Sequence, residues 1–213
     1  MNMEMWAMFF LAYLVTTLSP GPNVLLVLKN SIRHGWRSAF ITVLGNLTCQ
    51  FLIVCLVAVG VGHLLAELPF WFVVMKTVGG AYLIFLGVKN LRAARKGKSA
   101  ALAEAEAAPA AGRGRRSLFL EAFLVSASNP KTLIFLSAFL PQFLDTAHPV
   151  SEQFTVMFVT ICGIVTSVHL GYSYLIASLG HRFSFKDFGR RIDKLTGGLF
   201  IAMGGGILLS DRV

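Results

Sequence analysis

The chain has 213 residues, 55% of them hydrophobic and 14% charged, with a formal net charge of +9 and a mean hydropathy of +0.70. A soluble domain carries about 25% charged residues, so this composition excludes an ordinary soluble domain and predicts an all-α membrane protein. The positive charge alternates with apolar segments along the chain, which excludes a nucleic-acid-binding patch.

A helix needs about 20 mostly apolar residues to cross a bilayer. Six runs are read as spans, at about 5–28, 38–62, 69–88, 117–140, 154–179 and 192–210. The first lacks a basic leader and a small-residue cleavage site, and it reads as a span and not as a signal peptide. The last is short and rich in glycine. The connections between runs sort by charge. Lys29, Arg33 and Arg37 lie in the first, and Lys89, Arg92, Arg95, Lys96, Lys98, Arg113, Arg115 and Arg116 in the third. The fifth holds Arg182, Lys186, Arg190, Arg191 and Lys194, whereas the second and fourth hold no Lys or Arg. The positive-inside rule then places loops one, three and five in the cytoplasm and both termini outside. The third loop includes AALAEAEAAPAAG, a low-complexity tether with basic ends. Cys49, Cys55 and Cys162 sit in apolar runs and read as small buried hydrophobes.

Aligning Phe9 with Phe119 lays FFLAYLVTTLSP over FLEAFLVSASNP, so that Ser19-Pro20 meets Asn129-Pro130. Lys76, Gly79, Gly80 and Gly87 likewise meet Lys194, Gly197, Gly198 and Gly205. Three spans separate the copies, and three is odd, so the halves cross the membrane in opposite directions. The expected architecture is one transmembrane domain over 1–213. It comprises a three-helix repeat at 1–91, a cytoplasmic linker at 92–116 and an inverted repeat at 117–213, with helices one and four broken. The glycines of spans three and six, including Gly204 and Gly206, are expected to let helices approach closely.

Ser19, Pro20, Gly21, Pro22 and Asn23 cannot all sit in a regular helix, because each proline removes a donor and clashes with the preceding turn. Ser128, Asn129, Pro130 and Lys131 make a second break. Broken backbone inside a membrane must be satisfied by protein or by a polar cavity. Half-helix N-termini favour an anion, and freed carbonyls with Asn23 and Asn129 favour an ammonium. A zwitterionic amino acid fits, and so do other small polar solutes. Lys131 is a charge near mid-bilayer and so a functional candidate, for direct contact with a carboxylate or for a structural pair. Glu121 reads as the only acid clearly inside a span. It is either a proton carrier or an interfacial partner of the basic third loop. His169 is the other proton-coupling candidate. Asn46 and Gln50 share a helix face and either line the pathway or bond between helices. Lys76 either snorkels outward or lines the cavity.

SPGPN at 19–23, HGW at 34–36, Gly45, KTVGGAYLIFLGVKNLR at 76–92, SNPKTLIFLSAFLPQF at 128–143 and the glycine-rich last span together resemble the LysE/RhtB family of amino-acid exporters. The resemblance covers almost the whole chain except about 97–114. It implies a bacterial inner-membrane, non-enzymatic antiporter that exports amino acids or close derivatives on the proton-motive force. It also implies a pathway around Ser19, Pro20, Gly21, Pro22, Asn23, Asn129, Pro130 and Lys131. One departure stands out: many members carry an acidic residue soon after the span-two glycine, where this chain has Asn46 to Gln50. No cofactor or metal is expected, and the expected partners are the solute, the lipid bilayer and a second copy in a homodimer. A thiol-disulfide carrier would need paired reactive cysteines, and a metal exporter clustered soft or hard ligands; neither pattern is present. A structural subunit would leave the two helix breaks without a purpose.

Overall fold

Hydrocarbon offers backbone groups no hydrogen-bond partner, so a chain this apolar must satisfy them within helices. The computed structural model describes residues 2–19, 21–67, 69–95, 114–144, 148–179 and 185–209, and every regular element among them is helical. Most of the expected linker, 96–113, lies outside the described residues, as do Pro20 and the side chain of Lys76.

Helix α1 (Met3–Leu18) opens at Asn2, whose side chain accepts the Glu4 N–H at 3.3 Å, an N-cap of the usual polar kind. Helix α2 (Pro22–His34) starts with proline in its first turn, where a missing N–H removes no bond. It stops at Gly35, whose φ of 81° lies in the left-handed region that glycine tolerates. The chain then turns directly into α3 (Trp36–Glu67), followed by α4 (Pro69–Arg95) and α5 (Arg115–Ala127). Helix α6 (Pro130–Ile134) runs on through a π-helical turn, Phe135–Phe139, and a 3-10 turn, Leu140–Phe143. Helices α7 (Val150–Leu179) and α8 (Phe185–Leu209) complete the described chain.

Two stretches are long and apolar enough to cross a membrane alone, Trp36–Gly60 and Val150–Leu175. The α1–α2 pair bends by 53° and the pair formed by α5 and Pro130–Phe143 by 60°. Each counts as one broken span, giving a multi-pass, all-α membrane protein of two to four spans by length and composition among the described residues. The two breaks fall at the expected proline motifs. The expected six-span count is not established on this measure, which covers the described residues alone and leaves out parts of α4 and α8.

The α4–α8 pairing is nevertheless the closest in the fold. A Cβ added at Gly204 would stand 2.6 Å from the Gly80 carbonyl oxygen, and one at Gly87 would stand 2.7 Å from that of Gly197. The contacts are reciprocal and antiparallel, with residues 80 and 87 opposite 204 and 197. Lipid tails are as apolar as the helices, so the pair is held by close packing and not by a hydrophobic driving force. The register differs by one residue from the sequence alignment, since Gly198, Gly205 and Gly206 would meet nothing within 4 Å. Gly204→Ala is therefore expected to separate the helices at a cost of about 1–3 kcal/mol, read as a lowered melting temperature of the detergent-solubilised protein. Gly206→Ala is expected to leave that temperature unchanged. Gly45 plays the same part between α3 and α5, where an added Cβ would overlap the Phe119 carbonyl oxygen and come within 2.9 Å of the Ala122 Cβ.

An aromatic ladder joins α1 to the segment after the second break. Tyr13 meets Phe135 with ring centroids 5.2 Å apart, and Phe9 meets Phe143 at 5.5 Å. Phe139 stacks between, 4.5 Å from Phe135 and 4.9 Å from Phe143. All five rings are buried, and edge-on pairs of this kind add about 0.5–1.5 kcal/mol each beyond burial.

Candidate transport site

Helix α1 ends at Ser19 with carbonyls that have no helical partner, and side chains from distant helices take them. The Lys131 ammonium donates to the Ser19 carbonyl at 2.7 Å, and the Tyr172 hydroxyl of α7 donates to the Leu18 carbonyl at 2.9 Å. Lys131 thus sits where the α1 dipole is negative and makes a charge-assisted bond. Its ammonium also lies 5.9 Å from the centre of the Phe200 ring, within the reach of a cation–π contact. The lysine of the second break therefore holds the end of the first half-helix.

The same two breaks touch through Asn23. Its amide donates to Ser126 Oγ at 3.4 Å and Thr132 Oγ1 at 3.3 Å, residues that flank the second break. Asn129 caps the helix after that break by accepting the Lys131 N–H at 3.1 Å. No side chain caps the N-terminus of α2, where Gly21 precedes Pro22. Between the breaks lies a cavity of about 40 Å³, with Ser19, Gly21, Asn23, Gln50, Asn129, Lys131 and His169 among its walls. Two buried polar atoms there have no hydrogen-bond partner, Asn23 Oδ1 and His169 Nδ1. Buried groups of this kind are nearly always satisfied, so the cavity presents an acceptor and an imidazole nitrogen ready for a ligand.

The remaining sequence candidates fall elsewhere. Pro22 heads α2, while Ser128 and Pro130 are exposed on the outside of the second break. Asn46 is fully buried, lies off the cavity and has neither polar atom bonded. Gln50, one turn on, accepts the Tyr13 hydroxyl at 2.7 Å in the cavity wall. Glu121 pairs with Lys29 of α2 at 3.6 Å. It does so away from the cavity, and the partner comes from the first basic group of the sequence and not from the third.

Some wall residues carried no sequence signal, among them Tyr13, Thr16, Thr17 and Phe135. The hydroxyls of Thr16 and Thr17 bond back to Ala12 and Tyr13 carbonyls, which makes them unremarkable inside an apolar run. Asp193 was also missed. It stands at the edge of the last run, yet it is 2% exposed. Asp193, Thr196, Gly197, Phe200 and Gly204 are all buried and recur at helical spacing along one face of α8, and that spacing is the signal that would have found it.

A family model described as LysE type translocator matches residues 14–211. The homoserine/homoserine lactone efflux protein of Salmonella typhimurium is 32% identical over 212 residues, covering 100% of this chain and 99% of its own length. An uncharacterized membrane protein of Vibrio cholerae is 32% identical over 213 residues, covering 99% and 98%. A further membrane protein, from Pseudomonas aeruginosa, is 32% identical over 170 residues, covering 79% and 77%. No solved structure matches the chain. With broken helices meeting at a polar cavity and a match over nearly its whole length, the chain belongs to the family of LysE-type translocators.

Proposed function

We propose that this chain is a secondary transporter that exports small amino acids or close derivatives from the bacterial cytoplasm, homoserine and its lactone among them. The observation that carries the reading is the polar-lined cavity where the two helix breaks meet, with Asn23 Oδ1 and His169 Nδ1 unbonded inside it. An α-ammonium donates to the Asn23 oxygen. The solute's carboxylate or lactone carbonyl lies at the uncapped N-terminus of α2, whose first N–H groups have no partner within the helix. Lys131 is committed to the Ser19 carbonyl and sets the geometry of both breaks. His169 completes the hydrogen-bonding wall.

A cavity of 40 Å³ holds about one water molecule, whereas sites for small ligands run to about 300–1,000 Å³. Transport on this reading requires the halves to move apart on one side at a time. Six spans in two inverted three-helix repeats, with α4 and α8 as spans three and six, account for the paired breaks and the reciprocal glycine seam. With basic loops in the cytoplasm and both termini in the periplasm, the aromatic ladder closes the outer side. Tyr172 on Leu18, Ser31 against Ser173 at 2.5 Å and Lys29 with Glu121 close the inner side. Rocking about this centre, driven by the proton-motive force, alternates the opening.

The test is efflux from cells or everted vesicles loaded with a panel that includes homoserine, its lactone, threonine and lysine, with and without an uncoupler. Uncoupler-sensitive efflux of one or a few of these, dependent on the protein, is the expected result. Absence of efflux for the whole panel, from protein shown to be folded in the membrane, refutes the reading.

A further inference from the structure

A run of buried polar side chains on α3 leads from the cavity toward the basic first loop. Ser38, Thr42, Asn46 and Gln50 follow one another at four-residue intervals, and each is 4% exposed or less. That interval keeps them on one face of the helix, about 6 Å apart along its axis. Three of the four are bonded. Gln50 accepts the Tyr13 hydroxyl in the cavity wall. Thr42 accepts the Asn30 amide of α2 at 3.1 Å, and Ser38 donates to the Asn30 carbonyl at 2.7 Å. Asn46 stands between them, fully buried, and neither its amide nitrogen nor its oxygen has a partner. A buried amide of this kind is rare and costs the fold stability, so it is explained by a partner that arrives in another state of the molecule.

Its position says from which side the partner comes. Residues 29–31 of α2 form a layer of contacts with three other helices: Lys29 with Glu121 of α5, Asn30 with Thr42 of α3, and Ser31 with Ser173 of α7. Asn46 lies one helical turn from that layer and one turn from the cavity wall at Gln50. A solute that reaches the cavity between α2 and α3 from the side of the first loop therefore passes Asn46.

We propose that Asn46 recognises the neutral polar side chain of the exported amino acid, a hydroxyl above all, when the layer at residues 29–31 opens. This inference rests on the export reading above and names the solute class of that same site. With the solute ammonium on Asn23 and its carboxyl group at the start of α2, the side chain is the end still to be placed, and a cavity of about 40 Å³ does not contain it. The space gained when α2 parts from α3 and α7 lies beside Asn46. The amide has no charge and offers both a donor and an acceptor. It complements a hydroxyl, which donates to Oδ1 and accepts from Nδ2, and it also donates to a lactone ring oxygen.

The experiment compares homoserine with norvaline, which has a methyl group in place of the hydroxyl. Half-saturating concentrations for efflux are measured in proteoliposomes, and melting temperatures on the full-length, detergent-solubilised protein. The unaltered protein is expected to favour homoserine by roughly 5- to 150-fold, the range for one buried polar group left unpaired. Asn46→Leu, close to asparagine in shape, is expected to bring that ratio near one without lowering the melting temperature, since it removes two unbonded polar atoms. Asn46→Ala is expected to lose the preference in the same way. Thr42→Val breaks the bond to Asn30 and is expected to melt lower while keeping the preference. A preference that survives in Asn46→Leu or Asn46→Ala overturns the inference. A lower melting temperature for Asn46→Leu, with the ratio unchanged, assigns the amide a structural role and overturns it too. An unaltered protein that exports other amino acids but does not favour homoserine over norvaline removes this inference and leaves the export reading standing. One that exports no amino acid removes both.

Discussion

Lys131→Met is expected to slow export steeply while leaving a folded protein in the membrane. The methionine side chain matches lysine in length but has no donor for the Ser19 carbonyl, so the C-terminal end of α1 loses the bond that ties it to the second break. Hydrogen bonds to charged groups contribute about 1.5–3 kcal/mol. Loss of that amount from the positioned state lowers the transport rate by roughly 10- to 150-fold. Lys131→Arg keeps the charge but replaces a compact ammonium by a planar fork, and it is expected to recover only part of the rate. Initial rates of homoserine efflux from proteoliposomes, normalised to inserted protein, measure both. Export by Lys131→Met at the unaltered rate would mean that the join between the breaks is not needed.

Asn23→Ala is expected to raise the solute concentration needed for half-maximal efflux more than it lowers the maximal rate. Asn23 donates to Ser126 and Thr132 and keeps its carbonyl oxygen open toward the cavity. Alanine removes the acceptor for the ammonium and leaves two hydroxyls without that partner. A buried polar group left unsatisfied costs about 1–3 kcal/mol, equivalent to roughly a 5- to 150-fold weaker apparent affinity. Titration of efflux against internal homoserine separates affinity from rate. An unchanged half-saturation point would place the ammonium elsewhere in the cavity.

The two breaks were legible because proline and glycine act locally. Pro22 removes a donor and fixes a backbone angle whatever surrounds it, so SPGPN and SNPK mark the interruptions wherever they are folded. Membrane residence and the segregation of Lys and Arg were legible because the bilayer is a solvent with simple rules that act along a single dimension. The glycine-rich face of the last helix was visible too, but its register was not. Gly197 and Gly204 make the contacts, and which of several adjacent glycines faces α4 depends on how two apolar cylinders are rotated against each other.

Side-chain partnerships across the bundle were not legible. Lys131 finds a backbone carbonyl 112 positions earlier in the chain, and backbone acceptors leave no trace in a residue pattern. Glu121 and Asp193 illustrate the same limit from opposite sides. Glu121, inside a run, meets Lys29 at half-buried positions, whereas Asp193, at the edge of a run, is buried. An apolar helix in lipid has no polar face to show which side meets protein, so burial follows from helix rotation and tilt. The sequence by itself determined where the chain lies, where its helices break and that both breaks are polar. Only the tertiary structure decided that the breaks touch, that Lys131 joins them and that Asp193 is buried, because those depend on distances between helices set by packing and not by composition.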